Sequence, residues 1–159
     1  VRPMGRNARG VRGMQLEDGQ QIIALLVAGD ETQTVLTATE NGYGKRTEVA
    51  EYTRHGRGTK GMIAIQTSER NGKVVAATLV KETDEIMMLT QKGKIVRTSV
   101  SDIRVLKRAT QGVTLIGLKD DILAAVQRIA EEDVIPESTI EKVVPVSDEP
   151  YQQDLQLGD

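Results

Sequence analysis

At 159 residues the chain suits one medium domain or an arc of a larger repeat array. Its apolar share of 38% can fill a modest core, but its aromatic share is only 2%, with three Tyr and no Phe or Trp, which all but excludes the base-stacking platforms that grip single-stranded nucleic acid. The formal charge of −2 hides a split: residues 1–128 hold 20 Lys and Arg against 14 Asp and Glu (+6), and residues 129–159 hold one Lys against nine acids (−8), an asymmetry that points to a polyanionic partner.

The opening Val1-Arg2-Pro3-Met4-Gly5 has no signal-peptide character. It lacks a starting Met and begins in mid-pattern, which reads as a piece of a longer chain. The first segment of note is Gly5-Arg6-Asn7-Ala8-Arg9-Gly10-Val11, with Arg6, Arg9 and Arg12 spaced by three. An apolar run over residues 21–27 then reads as a strand closed by Ala28-Gly29-Asp30. Residues 34–39 read as a second strand ending at Glu40-Asn41-Gly42, a strong hairpin-turn signal. The following Asn41-Gly42-Tyr43-Gly44-Lys45-Arg46-Thr47 approaches a phosphate loop but fails it. Thr39 stands where the first Gly is needed, and Arg46 stands where Ser or Thr must follow the Lys. It reads instead as a hairpin tip carrying two cations.

The pattern then returns. Gly56-Arg57-Gly58-Thr59-Lys60-Gly61-Met62 aligns with the first segment, and Lys107-Arg108-Ala109-Thr110-Gln111-Gly112-Val113 aligns with both, so that Gly10, Gly61 and Gly112 fall 51 residues apart. Between them, residues 73–80, 85–90 and 94–100 read as strands, with a turn at Gln91-Lys92-Gly93. Residues 121–130 tolerate helix or strand, and their register with residues 73–80 favours strand. Repeats near 5–55, 56–106 and 107–130 thus form one body over residues 1–130. A repeat near 50 residues with about four Val-, Ile- and Thr-rich strands has the size of one blade of a radial array. The fold class expected is all-β, a β-pinwheel or propeller-like array with two to three blades present. Residues 131–159, with Pro136, Pro145, Pro150 and clustered acid, read as a flexible acidic tail, although residues 140–146 could dock as an edge strand.

Chemistry is sparse. With no Cys, disulfides and thiolate metal sites are out, and His55 is the only histidine, so neither a metal nor a cofactor site is expected. Asp120-Asp121 and Glu131-Glu132 are adjacent, and neighbours on a strand face opposite ways, which suits a solvated role better than an acid/base pair. Tyr43, Tyr52 and Tyr151 have no neighbours that would mark a nucleophile. No apolar run approaches the ~18 residues of a membrane helix. What remains is cation and glycine in register. Arg6, Arg9, Arg12, Lys45, Arg46, Arg54, Arg57, Lys60, Lys94, Arg97, Lys107 and Arg108 are the residues expected to contact phosphates of double-stranded DNA, with Gly10, Gly42, Gly61, Gly93 and Gly112 shaping the loops. Such contacts position a duplex rather than read its bases. The acidic tail could occupy the basic surface until DNA displaces it.

Several ordered motifs together resemble the C-terminal DNA-wrapping domain of the bacterial DNA gyrase A subunit. They include Val1-Arg2-Pro3-Met4-Gly5-Arg6, Arg9-Gly10-Val11-Arg12-Gly13, the run from Leu36 to Thr47, Val49-Ala50-Glu51-Tyr52, Glu69-Arg70-Asn71-Gly72, Ile86-Met87-Met88, Val96-Arg97-Thr98 and Thr110-Gln111-Gly112-Val113. The resemblance covers residues 1 to about 130. It implies a six-bladed β-pinwheel, of which this would be the C-terminal half, wrapping duplex DNA on its basic perimeter in support of ATP-dependent negative supercoiling. It also implies two protein partners, the gyrase B subunit plus the remainder of the A subunit. A cytoplasmic, nucleoid-associated location follows from it too, with catalytic Tyr, ATP and Mg sites outside this chain. The family's wrapping motif Gln-Arg-Arg-Gly-Gly-Lys-Gly is met here only by His55-Gly56-Arg57-Gly58-Thr59-Lys60-Gly61, with three mismatches, as in a degenerate later copy. Two alternatives stay open: the C-terminal domain of the corresponding topoisomerase IV chain, and a protein-interaction β-propeller. Strand exchange with a second copy of the chain is open as well.

Overall fold

The computed structural model describes residues 2–130. The acidic tail and the edge strand read at residues 140–146 lie outside the described residues. Within them are seven strands and two short 3-10 turns: β1 (Thr34–Thr39), β2 (Tyr43–Glu48), β3 (Val74–Val80), β4 (Glu85–Thr90), β5 (Ile95–Ser99), β6 (Val113–Thr114) and β7 (Leu123–Ile129), with turns at Val49–Glu51 and Val100–Asp102. All strand pairs are antiparallel, in a four-stranded sheet ordered β3-β1-β2-β6 and a three-stranded sheet ordered β5-β4-β7.

The hairpins follow their turn chemistry. At the β1–β2 turn Gly42 adopts φ 80° and its N–H donates to Thr39 O at 3.0 Å. One repeat later Gly93 adopts φ 84° and donates to Thr90 O at 3.0 Å. Positive φ at the last residue of a three-residue loop is what lets the two strands leave in register. Residues 121–130, which tolerate either state by composition, form strand β7.

Each sheet is assembled from successive repeats. The first strand of one repeat pairs with the second strand of the repeat before it, and it does so twice in one register. β3 on β1 runs from Thr34↔Val80 to Ala38↔Ala76, then slips so that Thr39 faces Val74. β7 on β4 runs from Glu85↔Ile129 to Leu89↔Ala125, then slips so that Thr90 faces Leu123. The slip falls at the same place in both and is followed by the same bond, Glu40 N to Lys73 O (2.8 Å) and Gln91 N to Ile122 O (2.9 Å). A bulge repeated at one position is a feature of the repeat rather than a local accident.

The strand expected over residues 21–27 does not form. Ile22, Leu25 and Val27 are exposed, Leu25 to 89%. The physical reason lies in the pairing rule. This segment is the first strand of its repeat and needs the second strand of another repeat. Both such strands described here are flanked on each side, β1 by β3 and β2, and β4 by β5 and β7.

The core lies between the sheets, where β3 and β7 meet, and is built from Leu36, Ala38, Val80, Ile86, Met88, Val100, Ile103, Ile116 and Leu123. β4 alternates as a half-buried strand should, with Ile86 and Met88 in and Met87 and Leu89 out. β1 is buried on both faces from Leu36 to Thr39.

Candidate nucleic-acid interface

The three Gly/Arg/Lys segments lie at the surface. Arg6, Arg9 and Arg12 are exposed in the first, Arg54, Arg57 and Lys60 in the second, and Arg104 and Lys107 in the third, with Arg108 half-buried. Gly10, Gly61 and Gly112 sit at φ 81°, 80° and 79°, so the chain turns through the same left-handed point in each. At Gly112 a side chain would have no room, since a Cβ would meet Gly44 O at 2.6 Å.

The segments are strung together by one recurring bond. Gln15 N donates to Thr59 O at 2.9 Å, and 51 residues later Gln66 N donates to Thr110 O at 2.9 Å. The first link is reinforced by Gly58 N to Gly13 O (2.9 Å) and by the exposed Lys60–Glu17 ion pair (2.7 Å). The second is reinforced by Arg108 Nη1 on Ile63 O (2.8 Å) and by Asn71, whose amide reaches Gln66 O (2.9 Å) and Gln111 O (3.1 Å). Loop spacing is therefore held by backbone, while most of the cationic side chains stay free to turn outward.

Two of the expected phosphate contacts must be corrected. Lys45 and Arg46 do not sit at a hairpin tip but in the middle of β2, and both are buried. Their charge is spent inside. Lys45 Nζ donates to Lys107 O at 2.6 Å, to Arg108 O and to Thr110 Oγ1 at 3.1 Å. Arg46 Nε donates to Ile103 O at 2.7 Å, and its guanidinium pairs with Glu82. Burial and the neighbouring Arg108 guanidinium push the Lys45 ammonium down to about 8, against a smaller upward pull from Glu51. Neither side chain can reach a duplex without breaking the segment that covers it.

Lys94 is exposed beside the β4–β5 turn. Arg97 is exposed on the edge strand β5, but Glu85 pairs with it across the ladder and partly neutralises it. Several surface cations escape the sequence pattern, among them Lys73, Lys92, Lys119 and Arg70, and the Arg70 guanidinium lies 5.0 Å from the centre of the Tyr43 ring. The spacing rule could not find them, because they stand outside the Gly/Arg/Lys segments. His55 is exposed, and among the described residues no three His, Asp or Glu side chains converge as a metal site would need. Asp121 is not merely solvated: its carboxylate accepts from Lys92 N (3.1 Å) and Ile122 N (2.8 Å), closing the β4–β5 turn onto β7.

The family model described as DNA gyrase C-terminal domain, beta-propeller, matches residues 1–28, 33–81 and 84–130. The chain belongs to the DNA gyrase C-terminal domain family.

Among relatives, the DNA gyrase A subunit of Pseudomonas aeruginosa is 50% identical over 132 residues, covering 82% of this chain and 14% of its own length. The DNA gyrase A subunit of Escherichia coli strain K12 is 51% identical over 133 residues, covering 82% of this chain and 15% of its own length. The chain thus spans about one seventh of the curated relatives it matches. A solved DNA gyrase A C-terminal domain superposes with a TM-score of 0.74 at 29% identity, covering 82% of this chain and 44% of that one. A topoisomerase IV C-terminal domain superposes with a TM-score of 0.73 at 23% identity, covering 78% of this chain and 39% of that one, and shares the fold. The all-β, propeller-like class expected from the repeat is the fold of the gyrase C-terminal domain family.

Proposed function

We propose that this chain is a non-catalytic duplex-DNA-binding module of a gyrase A subunit, which bends or wraps DNA along its row of cationic loops. The observation that carries the reading is the recurring backbone bond, Gln15 to Thr59 and Gln66 to Thr110, which sets successive loops of exposed Arg and Lys one repeat apart. A duplex offers evenly spaced phosphates, and each one neutralised releases a counterion, so a periodic cationic surface gains affinity without touching bases. A curved set of such contacts holds bent DNA in the same manner. Few aromatic side chains are present to stack bases, which favours duplex over single strand.

In this reading Arg6, Arg9, Arg12, Arg54, Arg57, Lys60, Lys94, Arg97, Lys107 and Arg108 face phosphate. The wider role follows from the family. Joined to the B subunit through the remainder of the gyrase A chain, the module would present a wrapped segment to an ATP-driven strand-passage core in the bacterial cytoplasm. Cleavage and ATP hydrolysis would lie outside this chain. Wrapping is tested by sealing nicked circular DNA in the presence of the chain and then removing the protein. A shift in linking number that grows with protein concentration is expected. An unchanged distribution at saturating protein would reduce the module to DNA binding without wrapping.

A further inference from the structure

We infer that Lys45 is a positioning residue for DNA contact: from beneath the third cationic loop its ammonium holds residues 107–110 in the shape that leaves Lys107 facing outward to meet a phosphate. The inference rests on the DNA-binding reading above and adds to it a buried residue that touches no DNA.

Three consecutive side chains of β2 take up carbonyls of the segment that lies over them. Arg46 Nε donates to Ile103 O (2.7 Å), Thr47 Oγ1 donates to Leu106 O (3.1 Å), and Lys45 Nζ donates to both Lys107 O (2.6 Å) and Arg108 O. The third Lys45 contact is Thr110 Oγ1 at 3.1 Å, and that hydroxyl itself donates back to Lys107 O at 2.9 Å. An ammonium has three donors, and here each meets an oxygen. When the carbonyls of two successive residues converge on one interior atom, the chain bends around that atom. Lys107 is left exposed on the outside of the bend.

Packing alone does not call for a cation at this position. A buried charge is costly unless every donor is matched, and an apolar residue of similar size is often as stabilising. Lys45 faces Arg108 from the loop and Glu51 from the 3-10 turn, so its proton is held at neutral pH against burial by the three oxygens and the carboxylate.

The test is Lys45→Met in the 159-residue chain, with folding followed by circular dichroism and duplex-DNA affinity measured across a salt series. The expected result is a folded chain with affinity lowered roughly threefold to tenfold at low salt and a log–log salt slope reduced by about 0.9, the worth of one phosphate contact. Combining it with Lys107→Ala should weaken binding no further than Lys107→Ala alone, because both remove the same contact. A merely structural role would lower stability while leaving the slope of the folded chain unmoved. If Lys45→Met does not fold, Thr110→Val removes a single oxygen and should lower affinity by about twofold with the slope moving the same way. Wild-type affinity and slope in a folded variant overturn the inference. A wild-type chain without salt-dependent binding overturns the DNA reading and this inference together, whereas wild-type binding with unmoved variants overturns the inference alone.

Discussion

The buried carboxylate of Asp84 shows how one side chain can tie three elements. It accepts from Lys81 N at 2.7 Å, closing the turn between β3 and β4, and from Arg128 Nε at 2.6 Å and Nη2 at 3.1 Å on β7. Its own carbonyl receives Val100 N at 2.9 Å. Burial pushes this carboxyl up, but the hydrogen bonds from Arg128 and Lys81 and their charges together outweigh it, so it titrates below its ordinary 3.8. A depressed carboxylate contributes stability that is present above the unfolded value and lost as pH falls through the folded one. Asp84→Ala should therefore cost about 2 kcal/mol near neutral pH, because it removes the buried acceptor of Lys81 N and of two Arg128 donors. Urea unfolding should show that difference shrinking as the pH is taken below 3.8. Nothing in the sequence distinguishes Asp84 from other acids, and the residue 51 places earlier is Gln33. Lys45 and Arg46 mislead in the same way. Residue type announces a charge, but only the pairing of β2 with the segment above it decides whether that charge faces solvent or a carbonyl.

Among the elements, strands were more legible than their partners. β-branched runs and Gly-bearing turns located β1, β3, β4, β5 and β7, and register with an earlier repeat resolved residues 121–130 as strand. β2 was not legible, because Gly44-Lys45-Arg46 breaks the apolar alternation that marks a half-buried strand. Pairing across repeats was not legible either, since spacing says where strands recur and not which ones bond. That rule explains why residues 21–27 are strand-like in composition yet unpaired. Hydrogen exchange checks it directly. Amides over residues 21–27 should exchange nearly as fast as an unstructured peptide, while those of β3 and β7 are protected. In a longer protein that supplies one more repeat upstream, residues 21–27 should become protected to the level of β3. Protection of residues 21–27 in the 159-residue chain itself would mean that some other edge accepts them.

At the scale of the molecule, the repeat does two jobs with one period. It stacks strands of successive repeats into sheets around a small aliphatic core, and it spaces the cationic loops by the same 51-residue step. The charge split in the chain was legible from composition, and so was the presence of three loops. Their connection was not, because it runs through backbone bonds such as Gln66 N to Thr110 O that depend on no residue type. Salt dependence tests the central claim most directly. Affinity of the 159-residue chain for duplex DNA should fall linearly on a log–log plot against salt, with a slope worth several phosphate contacts at ~0.9 each. Absence of binding at low salt, or binding that salt leaves unchanged, would contradict a cationic duplex-binding surface and would favour a protein-interaction role for the fold.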